Sequence, residues 1–247
     1  MLDSRTASIA SLTPYRVAGQ TRAAGAQVAV YEADLSDTAA IPALAAAVIA
    51  AHQDIRLLVN NAGVALGGLF EQLDAADFSW LMRINFDAPV AMTRAFLPVL
   101  KRAPAAQIVN ISSIFGVIAP AGQSAYSASK FAVRGFSEAL RHELAMLGST
   151  VGVTVVHPGG VDTSIAANAR IAKSMSEEQR NVQKKTWQDV PKLSPDAAAD
   201  IILDAIERRL PRVLVGKDAR QAELVQRLFP VTYWKKIARK LMPARTH

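Results

Sequence analysis

Residues 108–130, IVNISSIFGVIAPAGQSAYSASK, decide how the rest of the chain is read. IVNIS is a short apolar run rich in β-branched residues, the pattern of a strand buried on both faces, and Ser113 stands just past its end. Ser124–Leu147 carries the spacing of a long helix. Ser113, Tyr126 and Lys130 then fall in the order S-x12-Y-x3-K. Tyr126 and Lys130 lie one turn apart and share a helix face. An ammonium beside a phenol favours the phenolate, so a group with a reference pKa of about 10 is expected to fall toward neutrality. Ser113 sits where a buried strand delivers side chains to a ligand. A hydroxyl donor, a tunable phenol and a lysine suit the chemistry of a ketone or a secondary alcohol.

Strands and helices alternate on both sides of this stretch. Residues 17–27 read as the end of a helix stopped by Gly25. VAVYEADLSD, from Val28, predicts a short strand running out into a turn near Asp34, with Ser36 or Asp37 capping an alanine-rich helix over 38–52. Residues 56–60 predict a buried strand that leads into Asn60-Asn61-Ala62-Gly63. One long helix is expected over 78–100, strands over 107–112 and 151–157, a helix from Ser194 to about Arg209, and a last strand at RVLVG. Residues 164–192 are polar without a clear period and are expected to form an irregular lid. The pattern predicts an α/β fold: a Rossmann-like, three-layer parallel sheet with helices on both faces and right-handed crossovers. Three parts follow: an irregular segment 1–16, a single unit 17–220, and a basic amphipathic tail 221–247.

Composition narrows the function classes. With 247 residues, 51% hydrophobic and 6% aromatic, the chain is long enough for a sizeable core. It has no cysteine, which excludes disulfides, thiolate nucleophiles and Cys-based metal sites and is compatible with a cytoplasmic location. Four histidines without ligand spacing give no metal site. The net charge of +7 gathers late in the chain, but no nucleic-acid motif accompanies it, so no nucleic-acid partner is expected. No run of about 18 apolar residues predicts a membrane span.

ADLSD, LLVNNAG, RINFDAP, IVNISS, YSASK and HPGGVDT, in this order and spacing, resemble the short-chain dehydrogenase/reductase family. The resemblance covers roughly residues 17–216. It implies a carbonyl/alcohol oxidoreductase that uses NAD or NADP. Tyr126 would be the general acid/base. Lys130 would lower its pKa and hold the nicotinamide ribose. Ser113 would hydrogen-bond the reacting oxygen, and Asn85 would hold a water linked to Lys130. The neighbouring Ser112 should face away at strand period. Asp34 would face the adenine ring, Asn60, Ala62 and Gly63 would flank the adenosine, and Pro158, Gly159, Val161 and Thr163 would hold the nicotinamide. The resemblance also implies a homodimer or homotetramer and a small carbonyl or alcohol substrate.

The sequence departs from the family at its start. A strand followed by T-G-x3-G-x-G and a helix normally supplies the backbone N–H groups for the pyrophosphate. No such motif stands here, and Gly19 and Gly25 are isolated. The first strand-helix-strand unit is therefore expected to be missing or replaced, and nicotinamide binding to be weak. An alternative remains open: a truncated, cofactor-deficient relative that serves as a non-catalytic partner- or membrane-binding protein. Residues 221–243 bear on it. Leu224, Leu228, Val231, Trp234, Ile237 and Leu241 fall near one helical face among basic residues, with Pro230 expected to kink or split the helix. That pattern suits either packing on the parent protein or peripheral membrane contact.

Overall fold

Four parallel strands form the centre of the protein in a computed structural model that describes residues 13–188 and 192–241. They are β1 (Leu57–Asn60), β3 (Ala106–Ile111), β4 (Val151–Pro158) and β6 (Arg212–Val215), in the spatial order β1-β3-β4-β6. Leu58 pairs with Ile108, and Ile108 with Val153. Between them the chain runs through α3 (Ala75–Met82), α4 (Ala88–Leu100), α5 (Ser124–Met146) and α8 (Pro195–Glu207). A small second sheet pairs β2 (Leu66–Gly67) with β5 (Arg170–Ile171). The remaining helices are α1 (Thr13–Ala23), α2 (Ile41–Ala51), α6 (Ser164–Ala167), α7 (Glu177–Gln188), α9 (Lys217–Leu228) and α10 (Tyr233–Leu241).

Strand alternation divides the core into two layers. Leu58, Ile108 and Val153 point to one face and pack with Val48 of α2, Phe96 and Val99 of α4, and Leu140 and Leu144 of α5. Leu57, Val59, Val109 and Val156 point to the other, beneath Ala198, Ile201, Ile202 and Ile206 of α8. The sheet buried on two faces explains why the strands read as largely apolar runs. The fold is the α/β Rossmann-like arrangement that the sequence predicts.

Several local expectations are corrected. Residues 28–34 make no strand. β1 is the sheet edge among the described residues, and an extended segment becomes a strand only where a neighbour supplies its backbone partners. Leu35 is buried instead against Ile41 and Ala88, and the turn before α2 is held by Asp34 and Asp37. Helix α2 starts at Ile41 behind Ala40, which makes no side-chain cap. The irregular lid expected over 164–192 holds α6, β5 and α7: Leu66 and Gly67 give Arg170 and Ile171 a strand partner. The long helix over 78–100 is interrupted by a π turn at Arg83–Asp87, centred on Asn85. Thr13 already belongs to α1, so helix begins before residue 17. Residues 1–12 lie outside the described residues. Position 221 falls inside α9, and the chain breaks between α9 and α10 around Pro230.

Candidate active site

Ser113, Tyr126 and Lys130 meet at the carboxyl end of the sheet, the edge where open parallel sheets bind ligands. Ser113 follows β3 and caps a short 3-10 turn over Ile114–Gly116 by accepting the Phe115 N–H at 3.1 Å. Ser112 turns the other way and donates to the Lys130 carbonyl at 2.8 Å. Gly116 must be glycine here. A side chain there would collide with the Ser112 hydroxyl and lie 2.7 Å from the Lys130 carbonyl oxygen. This close approach presses the Ser113 turn onto α5 and sets Ser113 against Tyr126, which share a hydrogen bond. Phe115 packs edge-on to the Tyr126 ring at 6.1 Å.

Lys130 is buried, with 3% exposure. Its Nζ donates to the Ile111 carbonyl at 3.1 Å and lies 5.6 Å from the Tyr126 ring centroid. Burial holds its pKa down to about 8. The Tyr126 pKa lies above its ordinary value, not below it as the sequence suggests. Burial pushes the phenol up to about 12, and the Ser113 hydrogen bond offsets this only in part. Placing phenolate in an apolar site is what raises it.

Asn85 occupies the π turn and acts as a two-handed clamp. Its Oδ1 accepts the Val64 N–H at 2.8 Å, and its Nδ2 donates to the Val64 carbonyl at 2.9 Å. Nδ2 also reaches Ser129 Oγ at 3.1 Å, and Ser129 in turn donates to the Tyr126 carbonyl at 2.7 Å. The side-chain amide is thus engaged with protein. Gly63 brings its backbone under this cluster: a Cβ there would stand 3.3 Å from Asn85 Oδ1 and 3.4 Å from Lys130 Nζ.

The other expected positions divide into two groups. Asn60 is a buried tie whose Nδ2 donates to Asn110 Oδ1 at 2.8 Å and to Thr93 Oγ1 at 3.2 Å. Asn60 and Ala62 line a small apolar cleft with Leu35, Pro89 and Met92. Asp34 is exposed beside it. Its carboxylate accepts the Ser36 N–H at 2.8 Å, and hydrogen bonding to Ser36 holds its pKa below the usual range. Pro158, Gly159, Val161 and Thr163 follow β4. Val161 bridges to Leu193, Leu193 N–H donates to the Gly160 carbonyl at 2.8 Å, and Thr163 is exposed at the start of α6.

Two contributors are invisible in sequence spacing. Asp218, in the first turn of α9, accepts the Gly160 N–H at 2.6 Å. His157, the residue before Pro158, is fully buried and sets Nδ1 2.9 Å from the Ser113 carbonyl oxygen. Burial, then the nearby Arg212 and Arg134, hold its pKa down to about 4. His157 carried one sequence signal, its place in the HPGG segment, and Asp218, 58 residues from Gly160, carried none. Among the described residues no group of His, Cys, Asp or Glu is placed to hold a metal ion.

A sequence profile for short chain dehydrogenases matches residues 7–174. The chain is 38% identical over 217 residues to SadH of Mycobacterium tuberculosis, covering 88% of this chain and 78% of that protein. The chain belongs to the short-chain dehydrogenase/reductase family. The profile starts at residue 7, upstream of the motif resemblance that begins at residue 17. Among solved structures of the family, a short-chain dehydrogenase/reductase of Burkholderia phymatum in complex with NAD aligns with a TM-score of 0.79. It is 30% identical, with 87% of this chain and 80% of that one covered. A short-chain dehydrogenase of Burkholderia cenocepacia in complex with NADP aligns at 0.65 and 28% identity, covering 86% and 77%. As a short-chain dehydrogenase/reductase, the protein carries its Ser, Tyr and Lys at the sheet edge where the fold binds ligands.

Proposed function

We propose that this protein interconverts a carbonyl and a secondary alcohol with a nicotinamide cofactor, using Ser113, Tyr126 and Lys130. The observation that carries the reading is the convergence of a hydroxyl, a phenol and a buried lysine behind Ser113. A phenol with a pKa near 12 keeps its proton at neutral pH and is ready to donate it. In the reducing direction Tyr126 Oη gives its proton to the substrate oxygen, and Ser113 Oγ hydrogen-bonds that same oxygen. The nicotinamide, when bound, supplies the hydride to the carbonyl carbon. Lys130 is the cation nearest the phenol and is positioned to hold ribose hydroxyls, with Gly63 giving the ribose room to approach. Asn85 acts by fixing Val64 and Ser129 around them.

The residues fit the ribose and nicotinamide end of such a cofactor. Pro158, Gly159, Val161 and Thr163 offer backbone at the right sheet edge, and Ala62 with Asn60 lines a cleft suited to adenosine. The pyrophosphate end fits less well, because residues 1–56 hold no T-G-x3-G-x-G turn. Pairing of two or four copies through α4 and α5 belongs to the same reading, supported by exposed Phe131 and Met146 on α5.

The second reading, a cofactor-deficient relative with a binding role, is favoured by residues 28–34 lying unpaired where β1 is the sheet edge among the described residues. One experiment separates the two. A panel of aliphatic and aromatic ketones is offered with NADH and with NADPH, and nicotinamide absorbance is followed alongside calorimetric titration of each cofactor. Turnover that disappears in Tyr126→Phe supports the enzyme. Absence of both turnover and binding at millimolar cofactor overturns it.

A further inference from the structure

The charges of the last two helices are sorted by direction. From Lys217 to Leu241 the sequence holds two carboxylates, Asp218 and Glu223, against seven cations. Both carboxylates are turned inward and used: Asp218 holds Gly160, and Glu223 pairs with Arg212 at 3.0 Å. Lys217, Arg220, Arg227, Lys235 and Lys236 are all exposed. Large apolar side chains are interleaved with them. Leu224 is 57% exposed, Leu228 64% and Val231 88%. Phe229 joins them, with Lys236 Nζ 3.9 Å above its ring.

This differs from the single apolar stripe that the sequence predicts. The structure divides that stripe. Tyr233 and Ile237 pack inward on Ile114, Val117 and Ile118, and Tyr233 Oη accepts the Ala119 N–H at 2.9 Å. The outward set is α9 and the turn behind it. Positions 220, 224, 227 and 228 share one face of α9 at helical spacing, alternating arginine with leucine, and Val231 follows in the turn.

We infer that this outer face of α9, with the turn at Phe229–Val231 and Lys235–Lys236, docks on an anionic lipid surface. The face supplies both parts of interfacial binding: cations for the headgroups, and leucine and valine for the acyl boundary. Charge complementarity selects this occupant. A second copy meeting the same face across a two-fold axis would set these cations against their own like, with no free carboxylate on the face to pair them. A phosphate backbone would match the cations and leave Leu224, Leu228 and Val231 against polar groups. The inference does not depend on the catalytic reading.

The test is flotation of the full chain with vesicles of phosphatidylcholine alone or mixed with phosphatidylglycerol, at low and high salt. Binding is expected only to the mixed vesicles and is expected to fall with salt. Lys235→Glu/Lys236→Glu should weaken it about 30-fold or more, and Leu224→Ser/Leu228→Ser at least about tenfold. Circular dichroism and melting temperature confirm that each variant is folded, and a variant that unfolds is replaced by Val231→Ser. Sedimentation and a duplex-DNA shift assay run on the same proteins. Equal binding to both vesicle types, no binding to either, a change of oligomeric state in place of lost vesicle binding, or binding to DNA alone overturns the inference.

Discussion

His157 Nδ1 stands 2.9 Å from the carbonyl oxygen of Ser113, so the end of β4 holds the backbone of the candidate catalytic serine. The neutral ring donates its Nδ1 hydrogen, and no partner reaches Nε2. The consequence is acid sensitivity. The imidazole pKa falls from 6.5 to about 4 on folding. Between those values the unfolded chain binds a proton that the folded one refuses, so stability falls as pH drops through 6.5 and the loss is complete below 4. The cost is about 3 kcal/mol. Urea unfolding at pH 7 and pH 4.5 checks this, and His157→Asn should flatten the difference. An unchanged pH slope in the variant would exclude His157 as its source.

Asp218 and Gly160 tie α9 to the loop after β4. Asp218→Ala leaves the Gly160 N–H without its acceptor, at about 1–3 kcal/mol. If the loop holds nicotinamide, the cofactor KM should rise more than kcat falls. Gly159→Ala drives a Cβ into the Asp218 carboxylate and should be destabilising. Combining it with Asp218→Gly should recover part of that loss in a double-mutant cycle. Strict additivity of the two changes would refute the contact.

Lys130 is a buried cation that works against stability. Its pKa falls from 10.5 to about 8 on folding. The unfolded chain binds more protons between those values, so this group makes stability rise with pH from 8 to 10.5. Below pH 8 the full penalty applies, about 3 kcal/mol. Lys130→Met should melt higher than the parent at pH 7 and lose turnover. A lower melting temperature would show that the bond to Ile111 outweighs desolvation.

Tyr126→Phe removes the proton donor and one hydrogen bond to Ser113. Ketone reduction should fall about 10²–10⁴-fold, while stability changes by about 1 kcal/mol. The parent phenol, raised from 10.0 to about 12, stays protonated in the folded state while the unfolded one ionises, so stability should fall as pH rises from 10 to 12. The phenylalanine variant should lack that fall in alkaline denaturation.

Much of this arrangement was legible in the chain. Largely apolar runs at 57–60, 106–111, 151–158 and 212–215 mark strands that are covered on two faces, and the S-x12-Y-x3-K spacing places Tyr126 and Lys130 on one helix face behind Ser113. What misled were segments whose state depends on a neighbour. Residues 28–34 have strand composition and, among the described residues, no strand to pair with. Arg170 and Ile171 lack strand composition and pair with Leu66 and Gly67. Asn85 reads as a poor helix residue; the π turn and the grip on Val64 become visible only when a loop 21 residues away is folded over it.

The sequence by itself determined the four parallel strands, the family and three candidate site residues, because periodicity and motif spacing are properties of a few consecutive turns. Tertiary structure decided the rest. It chose which carboxylate holds Gly160, which histidine nitrogen meets Ser113, and which half of the tail faces outward. It also decided the sign of the Tyr126 shift. A neighbouring ammonium can be counted along a helix, but desolvation is set by everything packed around the phenol, and here burial pushes it up.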